Sequence, residues 1–272
     1  MPTTYAHYRF GCDVYNLLDP ALQRAVDRHR PLYDLGVHGP DVLFYYRPLK
    51  HNHVKNLGRA CHRTRGDLFF AHCAEVVNRL DDRAATSPVL RKGDAPRAYM
   101  SYLLGVLCHY MLDRSCHPYV YCKQEEGVSH SAIEASFDRH LMVLDRLDPL
   151  KYSPTHHLKP SHKAALVMRD FYPLLTEREI YGAQVSMLWI LRALAAPRPL
   201  RPVFMELATL GHGRDLFITT RPNHDCVDSD LRLKELYDKA LILAPDMLAQ
   251  LLAHLQDGTP FGPEFNHTFG KD

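Results

Sequence analysis

The chain lacks three features that would assign it to common protein classes: long apolar runs, a strong net charge and regularly spaced cysteines. No apolar run reaches the roughly 18 residues of a membrane-spanning helix, so we expect no transmembrane segment. The formal net charge is only +2, which gives no strong signature of a nucleic-acid partner. The seven cysteines form no CxxC pair or disulfide framework, and no charged-then-apolar leader is visible. Together these absences favour a cytoplasmic protein with reduced thiols, the alternative being a chain that has been trimmed of a leader.

The sequence also lacks the alternating apolar and polar pattern of strands, whereas helical spacing recurs along its length. We therefore predict an all-α protein in which residues 1–272 form a single multi-helix domain. Residues 1–147 carry the candidate site, and residues 148–272 form a helical remainder that packs on them. The predicted helices cover residues 7–18, 20–30, 57–80, 98–118, 129–147, 161–175, 176–195, 202–210 and 230–256, the last interrupted at Pro245, with irregular segments at 36–56 and 119–128.

The stretch around which the chain is organised is an almost wholly apolar helix over residues 98–112. A helix that is apolar on all sides is buried in the protein interior. His109 and Asp113 lie four residues apart on one face of it, and His117 follows four residues later, directly before Pro118. Buried imidazole and carboxylate groups cost several kcal/mol unless they are paired or bind a cation. The residues are therefore either a structural His–Asp pair or ligands of a metal.

His130 and Glu134 repeat this spacing on the next predicted helix. Such pairs should occur by chance about twice in a chain with 18 histidines and 31 acidic residues, and this chain has three. The third pair, at positions 224 and 228, lies in a polar segment, and we interpret it as coincidence. The other two pairs fall on successive helices, where they can face one another and share cations.

Three upstream residues are candidates to complete a metal site. His7 begins the first predicted helix, Asp41 follows a Gly-Pro turn, and His62 opens a helical segment. The alternative is that Asp41 caps its turn and that the histidines lie on the surface. An aromatic run follows the turn and either lines a substrate entrance or packs in the core: Phe44, Tyr45 and Tyr46.

The order of these elements resembles the bacterial zinc-dependent phospholipase C family, in its shorter form without a leader. The resemblance covers about residues 5–140 and rests on His7, the Gly-Pro-Asp turn, a histidine that opens a helix, HYMLDRSCHP and HSAIE. It implies an all-helical fold that holds up to three zinc ions in a cleft. It also implies hydrolysis of the phosphodiester on the glycerol side of phospholipid headgroups. Fungal single-strand-specific zinc nucleases share this fold and a similar cluster.

The resemblance implies zinc ligands in three sets of histidine and carboxylate side chains. They are His109, Asp113, Asp41 and His62 for one ion, His117, His130 and Glu134 for a second, and His7 for a third. Asp113 would also bridge to another ion. In the secreted enzymes the third ion takes the N-terminal amino group as well, whereas here His7 lies six residues after an initiator Met.

Two of these assignments have alternatives. His53 competes with His62, and we favour His62 because it opens a helix as in the shorter family members. Cys116 competes with His117, because Cys116 would face the same way as His109 if the helix continued. We favour His117 because Pro118 should let the chain turn there.

The chemistry of a phosphodiester fits such a site. Closely spaced zinc ions with mixed histidine and carboxylate ligands neutralise the anion and activate water. Asp41 is the candidate catalytic residue, a ligand that also accepts the proton of water. We therefore predict a zinc-dependent, phospholipase C-like hydrolase of phospholipids or other phosphodiesters with two or three zinc ions. The alternatives are a zinc nuclease, which the near-neutral charge disfavours, and a non-catalytic zinc-binding helical protein.

Overall fold

The computed structural model describes residues 4–80, 94–195, 218 and 221–270. Within these ranges the protein is all-α, which confirms the predicted fold class. The α-helices are α1 (Thr4–Tyr15), α2 (Pro20–Arg28), α3 (Arg30–Gly36), α4 (His53–Arg63), α5 (Gly66–Asn78), α6 (Ala95–Glu125), α7 (His130–Leu144), α8 (His162–Phe171), α9 (Glu177–Leu194) and α10 (Val227–Asp257). Short 3-10 helices cover Gly39–Tyr45, His224–Cys226 and Pro263–Phe265. The helix predicted over 202–210 lies outside the described residues.

Helix α6 is the central element, and it is longer than the sequence predicts. It passes through Pro118 and ends at Glu125, so most of the predicted irregular segment 119–128 is helical instead. Proline removes one backbone hydrogen bond, but Cys116 and Val120 on either side of it are buried. Packing against the neighbouring helices therefore holds α6 together across Pro118. For the same reason α10 runs through Pro245, where an interruption was predicted.

The backbone of α6 is approached closely by α3, a helix that falls between the predicted helix 20–30 and the predicted irregular segment 36–56. A Cβ on Gly36 would lie 3.0 Å from the Cα of Gly105, and a Cβ on Gly105 would collide with the carbonyl of Tyr33. The two backbones touch because both positions are glycine. This contact fixes the 3-10 helix that follows α3 against the middle of α6.

The predicted helix over 57–80 is in fact two helices, α4 and α5, with an extended break at Thr64 and Arg65. The C-terminal segment causes the break. The backbone N–H of Gly66 donates to the carbonyl of His267 (2.8 Å), and Arg65 forms an isolated antiparallel bridge with Thr268. As a result His62 lies in the last turn of α4 and does not open a helix.

The described helices share one hydrophobic core, which extends from Tyr5 to Phe269 and includes residues from both halves of the chain. That the whole chain is a single domain stays a prediction. None of the helices in the described ranges is long and apolar enough to cross a membrane.

Candidate metal centre

The N-terminal helix α1 is anchored at its first turn by Asp138 of α7. The carboxylate of Asp138 accepts hydrogen bonds from the backbone N–H groups of Tyr5 (3.0 Å) and Ala6 (2.8 Å). These donors would otherwise have no partner within the helix. Burial raises the pKa of Asp138 to about 8 against the opposing effect of these two bonds. The anchor places His7, one residue later, in the protein interior with 4% of its surface exposed.

The turn before Asp41 brings that residue to α6. Gly39 has a φ of +46°, and a Cβ there would lie 2.7 Å from Cγ of His109. Glycine therefore permits both the left-handed backbone and the contact with the imidazole ring. From this position Asp41 lies with its Oδ1 3.0 Å from Nε2 of His62 on α4.

Asp113 lies at the centre of the candidate site. Its Oδ1 is 3.2 Å from Nε2 of His7, and its Oδ2 is 3.1 Å from Nε2 of His109. The same Oδ2 is 3.5 Å from Nδ1 of His117 and 3.8 Å from Nε2 of His62. Residues 109, 113 and 117 share one face because α6 continues through Pro118.

Helix α7 supplies the other side of the site. Oε1 of Glu134 is 3.0 Å from Nε2 of His130 and 3.6 Å from Nε2 of His117. Glu134 is buried while His130 is partly exposed, so this group opens toward the surface. His117 links it to the Asp113 group.

Within the described residues, the donor atoms form three groups whose members lie within 4.8 Å of one another. The groups are His7, His109 and Asp113, then Asp41, His62 and His109, and finally His117, His130 and Glu134. They contain every ligand that the sequence analysis proposed. The structure therefore brings these side chains together, and their binding of metal stays a prediction.

Neither of the two rival ligands is a member of these groups. His53 is 64% exposed, and its Nε2 lies 2.8 Å from Oε1 of Glu179. Cys116 is buried and belongs to none of the three groups, and burial raises the pKa of its thiol. His117 takes its place because α6 continues as a regular helix and keeps the four-residue spacing, and not because the chain turns at Pro118 as predicted.

Neighbouring acceptors orient three of the imidazole rings. Nδ1 of His62 lies 2.7 Å from the carbonyl oxygen of Gly58, and Nδ1 of His117 lies 2.9 Å from that of Phe269. Nδ1 of His130 lies 3.0 Å from Oε1 of Gln124. An N–H at Nδ1 that donates to an oxygen leaves the lone pair on Nε2. In each ring Nε2 is the atom that points to a carboxylate of the site, which is the arrangement that histidine ligands of metals adopt.

The most buried polar atoms of the site are arranged as ligands of a cation rather than as hydrogen-bond partners of one another. Nε2 of His109 and Oδ2 of Asp113 are 3.1 Å apart, yet neither has a hydrogen-bond partner among the described residues, and neither does Nδ1 of His7. Buried polar atoms without partners are rare in proteins. Two ligands of a tetrahedral zinc ion lie about 3.3 Å apart, given bonds of about 2.0–2.1 Å. The donor set thus fits zinc in both type and spacing.

The carboxylates of the site are held in their ionised form. Burial alone would raise the pKa of Asp113, but His109 and His117 hold that pKa well below its usual value. Burial would also raise the pKa of Glu134, but His130 and His117 hold that pKa well below its usual value. In turn, Asp113 and Glu134 overcome the effect of burial and raise the pKa of His117 to about 9. The buried carboxylates therefore carry negative charge that either protonated histidines or bound metal ions can neutralise.

A cavity of about 710 Å³ opens beside the site. Its lining within the described residues comprises Asp41, Phe44, Pro48, Lys55, Arg59, His62, Arg63, His117, Tyr121, His130 and Gly270. Of the predicted substrate-binding aromatic residues, Phe44 belongs to this lining, whereas Tyr45 is buried in the core and Tyr46 packs near Gly182.

The sequence analysis missed four polar side chains in this wall. Tyr121 lies on the part of α6 that was predicted to be irregular. Lys55, Arg59 and Arg63 lie on α4, and their four-residue spacing was the available signal.

A family model described as zinc dependent phospholipase C matches residues 6–179. The match continues well past residue 140, where the recognisable motifs end, and it includes all the candidate ligands. No curated protein and no solved structure matches the chain.

Proposed function

Since the chain belongs to the zinc-dependent phospholipase C family, we propose that it hydrolyses phosphodiester bonds with two or three zinc ions held by the three ligand groups. The family supports a zinc-dependent hydrolase. The observation that carries the finer proposal is the position of Asp113, within 3.8 Å of four histidines and beside a large open cavity. A carboxylate so placed can be shared between neighbouring ions.

Each of the three ligand groups would hold one ion. His7, His109 and Asp113 are the most buried group and would hold the innermost ion. The group of Asp41 and His62, which shares His109, faces the cavity, as does the group of His117, His130 and Glu134. Zinc supplies neutralisation of the anionic phosphodiester and a lower pKa of the attacking water.

Asp41 is our candidate for the general base. It is the one carboxylate in the described cavity wall, and 18% of its side chain is exposed. His62 overcomes the effect of burial and holds the pKa of Asp41 below its usual value, so Asp41 is in the ionised form that a general base requires. The water oxygen adds to phosphorus as its proton passes to Asp41, and the bond from phosphorus to the glycerol oxygen breaks. That oxygen takes a proton from solvent and leaves as an alcohol, while Asp41 returns its proton to solvent.

The test is hydrolysis of bis(p-nitrophenyl) phosphate and of short-chain phospholipids by the zinc-loaded protein, with zinc content measured in parallel. We expect Asp41→Asn to lower kcat by about 100-fold or more, the usual effect of losing a general base. A zinc-loaded wild type that hydrolyses neither substrate would leave a non-catalytic zinc-binding protein. We further propose a cytoplasmic location, which the seven unbridged cysteines favour and cell fractionation tests.

A nuclease on the same scaffold is the second candidate, because Phe44, Tyr121 and three basic side chains line the cavity. Aromatic and basic groups together bind single-stranded nucleic acid. Cleavage of single-stranded DNA at a higher kcat/KM than any phospholipid would favour this alternative.

A further inference from the structure

One face of α4 carries a row of three basic residues beside the candidate metal centre. Lys55, Arg59 and Arg63 are four residues apart, so they lie above one another along the helix, and all three line the cavity. Lys55 and Arg59 are half-buried, and Arg63 is exposed. This row is a local concentration of positive charge in a chain whose formal net charge is only +2.

The row has no acidic partner within the described part of the chain. Nζ of Lys55 donates to the carbonyl of Pro48 (2.7 Å), and Nη1 of Arg59 donates to the amide oxygen of Asn56 (3.1 Å). Both acceptors are neutral. Burial and the nearby charge of Arg59 lower the pKa of Lys55, as expected where like charges lie together without a counterion. The charge of the row is therefore available to a ligand.

The spacing relative to the metal centre indicates which part of a substrate would meet the row. Arg59 precedes His62 by three residues on α4, so the two side chains are neighbours with Cβ atoms about 5–6 Å apart. Lys55 lies a further turn away, about 6 Å along the helix axis from Arg59. A phosphodiester at the centre would therefore extend its headgroup along Arg59 toward Lys55.

The wall is poorly suited to a cationic headgroup. Phe44 and Tyr121 could form two sides of a cage for a quaternary ammonium group. However, the one described carboxylate in the wall, Asp41, already faces His62 in the metal centre, and the three basic side chains would repel a cation. The short row also falls short of the long basic groove that tracks a polynucleotide.

We propose that the cavity selects phosphodiesters whose headgroup carries a second anionic group, a phosphate or a carboxylate, and that Arg59 and Lys55 bind this group. The guanidinium of Arg59 presents paired N–H donors that match such an oxyanion. The inference rests on the proposed phosphodiester hydrolysis and adds the class of headgroup to it.

The matched substrates are short-chain phosphatidylglycerol phosphate and phosphatidylglycerol, used as monomers, which differ only in the second phosphate. We expect the wild type to prefer phosphatidylglycerol phosphate in kcat/KM. Arg59→Gln should reduce this preference about 10- to 100-fold, the effect of losing one charge-assisted pair. The control is Arg79→Gln, the same change at the exposed residue that directly follows α5 and pairs with Glu75 outside the cavity wall, and it should keep the wild-type preference.

A wild type that prefers phosphatidylglycerol or phosphatidylcholine would overturn the inference, as would an Arg59→Gln protein with unchanged preference. So would a stronger preference for single-stranded DNA that disappears in Arg59→Gln.

If the zinc-loaded wild type hydrolyses no phosphodiester, including bis(p-nitrophenyl) phosphate, the proposed function fails, and calorimetric binding then decides the inference alone. Glycerol bisphosphate should bind more tightly than glycerol phosphate, and Arg59→Gln should remove the difference. Equal binding of the two compounds by the wild type would overturn the inference.

Discussion

Replacement of Asp113 by asparagine is the sharpest test of the metal centre. The change keeps the size of the side chain but removes a charge that lies within 3.8 Å of four histidines. An amide is a much weaker zinc ligand than a carboxylate, and its –NH₂ group points a donor at imidazole nitrogens. We therefore expect Asp113→Asn to lose at least one zinc ion per chain, and two if Asp113 bridges a pair of ions.

The size of the effect follows from linkage. When the free zinc concentration is about 100 times the Kd of a site, the bound ion stabilises the folded protein by about 2.7 kcal/mol. In a protein somewhat smaller than this one, each kcal/mol shifts Tm by about 2–4 °C. The loss of one ion should therefore lower Tm in zinc by roughly 5–10 °C, and the loss of two by about twice as much.

The assay combines metal content per chain with thermal unfolding, on protein purified without a histidine tag, in buffered zinc and after chelation. Asp94→Asn is the matched control. Asp94 is also buried, its Oδ1 lies 3.2 Å from Nε2 of His29, and it directly precedes the helix that carries Asp113. It lies about 28 Å away along the helix axis, given 1.5 Å per residue. The control variant should retain the zinc content of the wild type.

Two results would refute the reasoning. One is an Asp113→Asn protein with unchanged zinc content and an unchanged Tm difference between zinc and chelator. The other is a stably folded wild type that takes up no zinc, which would leave His109 and Asp113 as a buried structural pair.

Three further predictions concern individual positions. His62→Ala should lower zinc content, whereas His53→Ala should not, because only the ring of His62 faces the candidate centre; metal analysis of both variants decides this. Gly105→Ala should destabilise the fold by about 2–3 kcal/mol in urea unfolding, because a Cβ would collide with the backbone of α3, and an unchanged midpoint would contradict this. Burial raises the pKa of Asp230 to about 6, above its ordinary value of 3.8, so the unfolded chain ionises first and stability falls as pH rises from about 4 to about 6, with the full loss present above that range. Asp230→Asn should gain about 2–3 kcal/mol on the wild type between about pH 4 and pH 7, and a pH-independent difference would show that Asp230 is not perturbed.

The candidate ligands could be predicted because, in an α-helix, the spacing of residues in the sequence determines which side chains lie on the same face. His109 and Asp113 share a face in any α-helix, and so do His130 and Glu134. An apolar helix around the first pair also predicts its burial, which makes metal binding or pairing necessary. The choice between His62 and His53 is different, because it depends on where α4 ends and on the turn at Gly39.

The continuation of α6 through Pro118 could not be predicted from local preference. Proline favours the end of a helix, and only burial on both sides of it, at Cys116 and Val120, outweighs the lost hydrogen bond. This continuation places His117 in register with Asp113 and brings Tyr121 into the cavity wall. The carbonyl of Phe269, which orients His117, comes from the far end of the chain and has no signal in the sequence near the ligands.

The sequence by itself determined the helical class, the buried central helix and the chemical type of the candidate site. These follow from local periodicity and from the cost of burying charge, which depend on neighbours within a few residues. Only the tertiary structure decided that Asp113 faces His7 of α1 and His62 of α4, and that a basic row adjoins the cavity. Those contacts depend on how closely helices approach one another, and glycines such as Gly36 and Gly105 set that approach through backbone contacts distant in sequence.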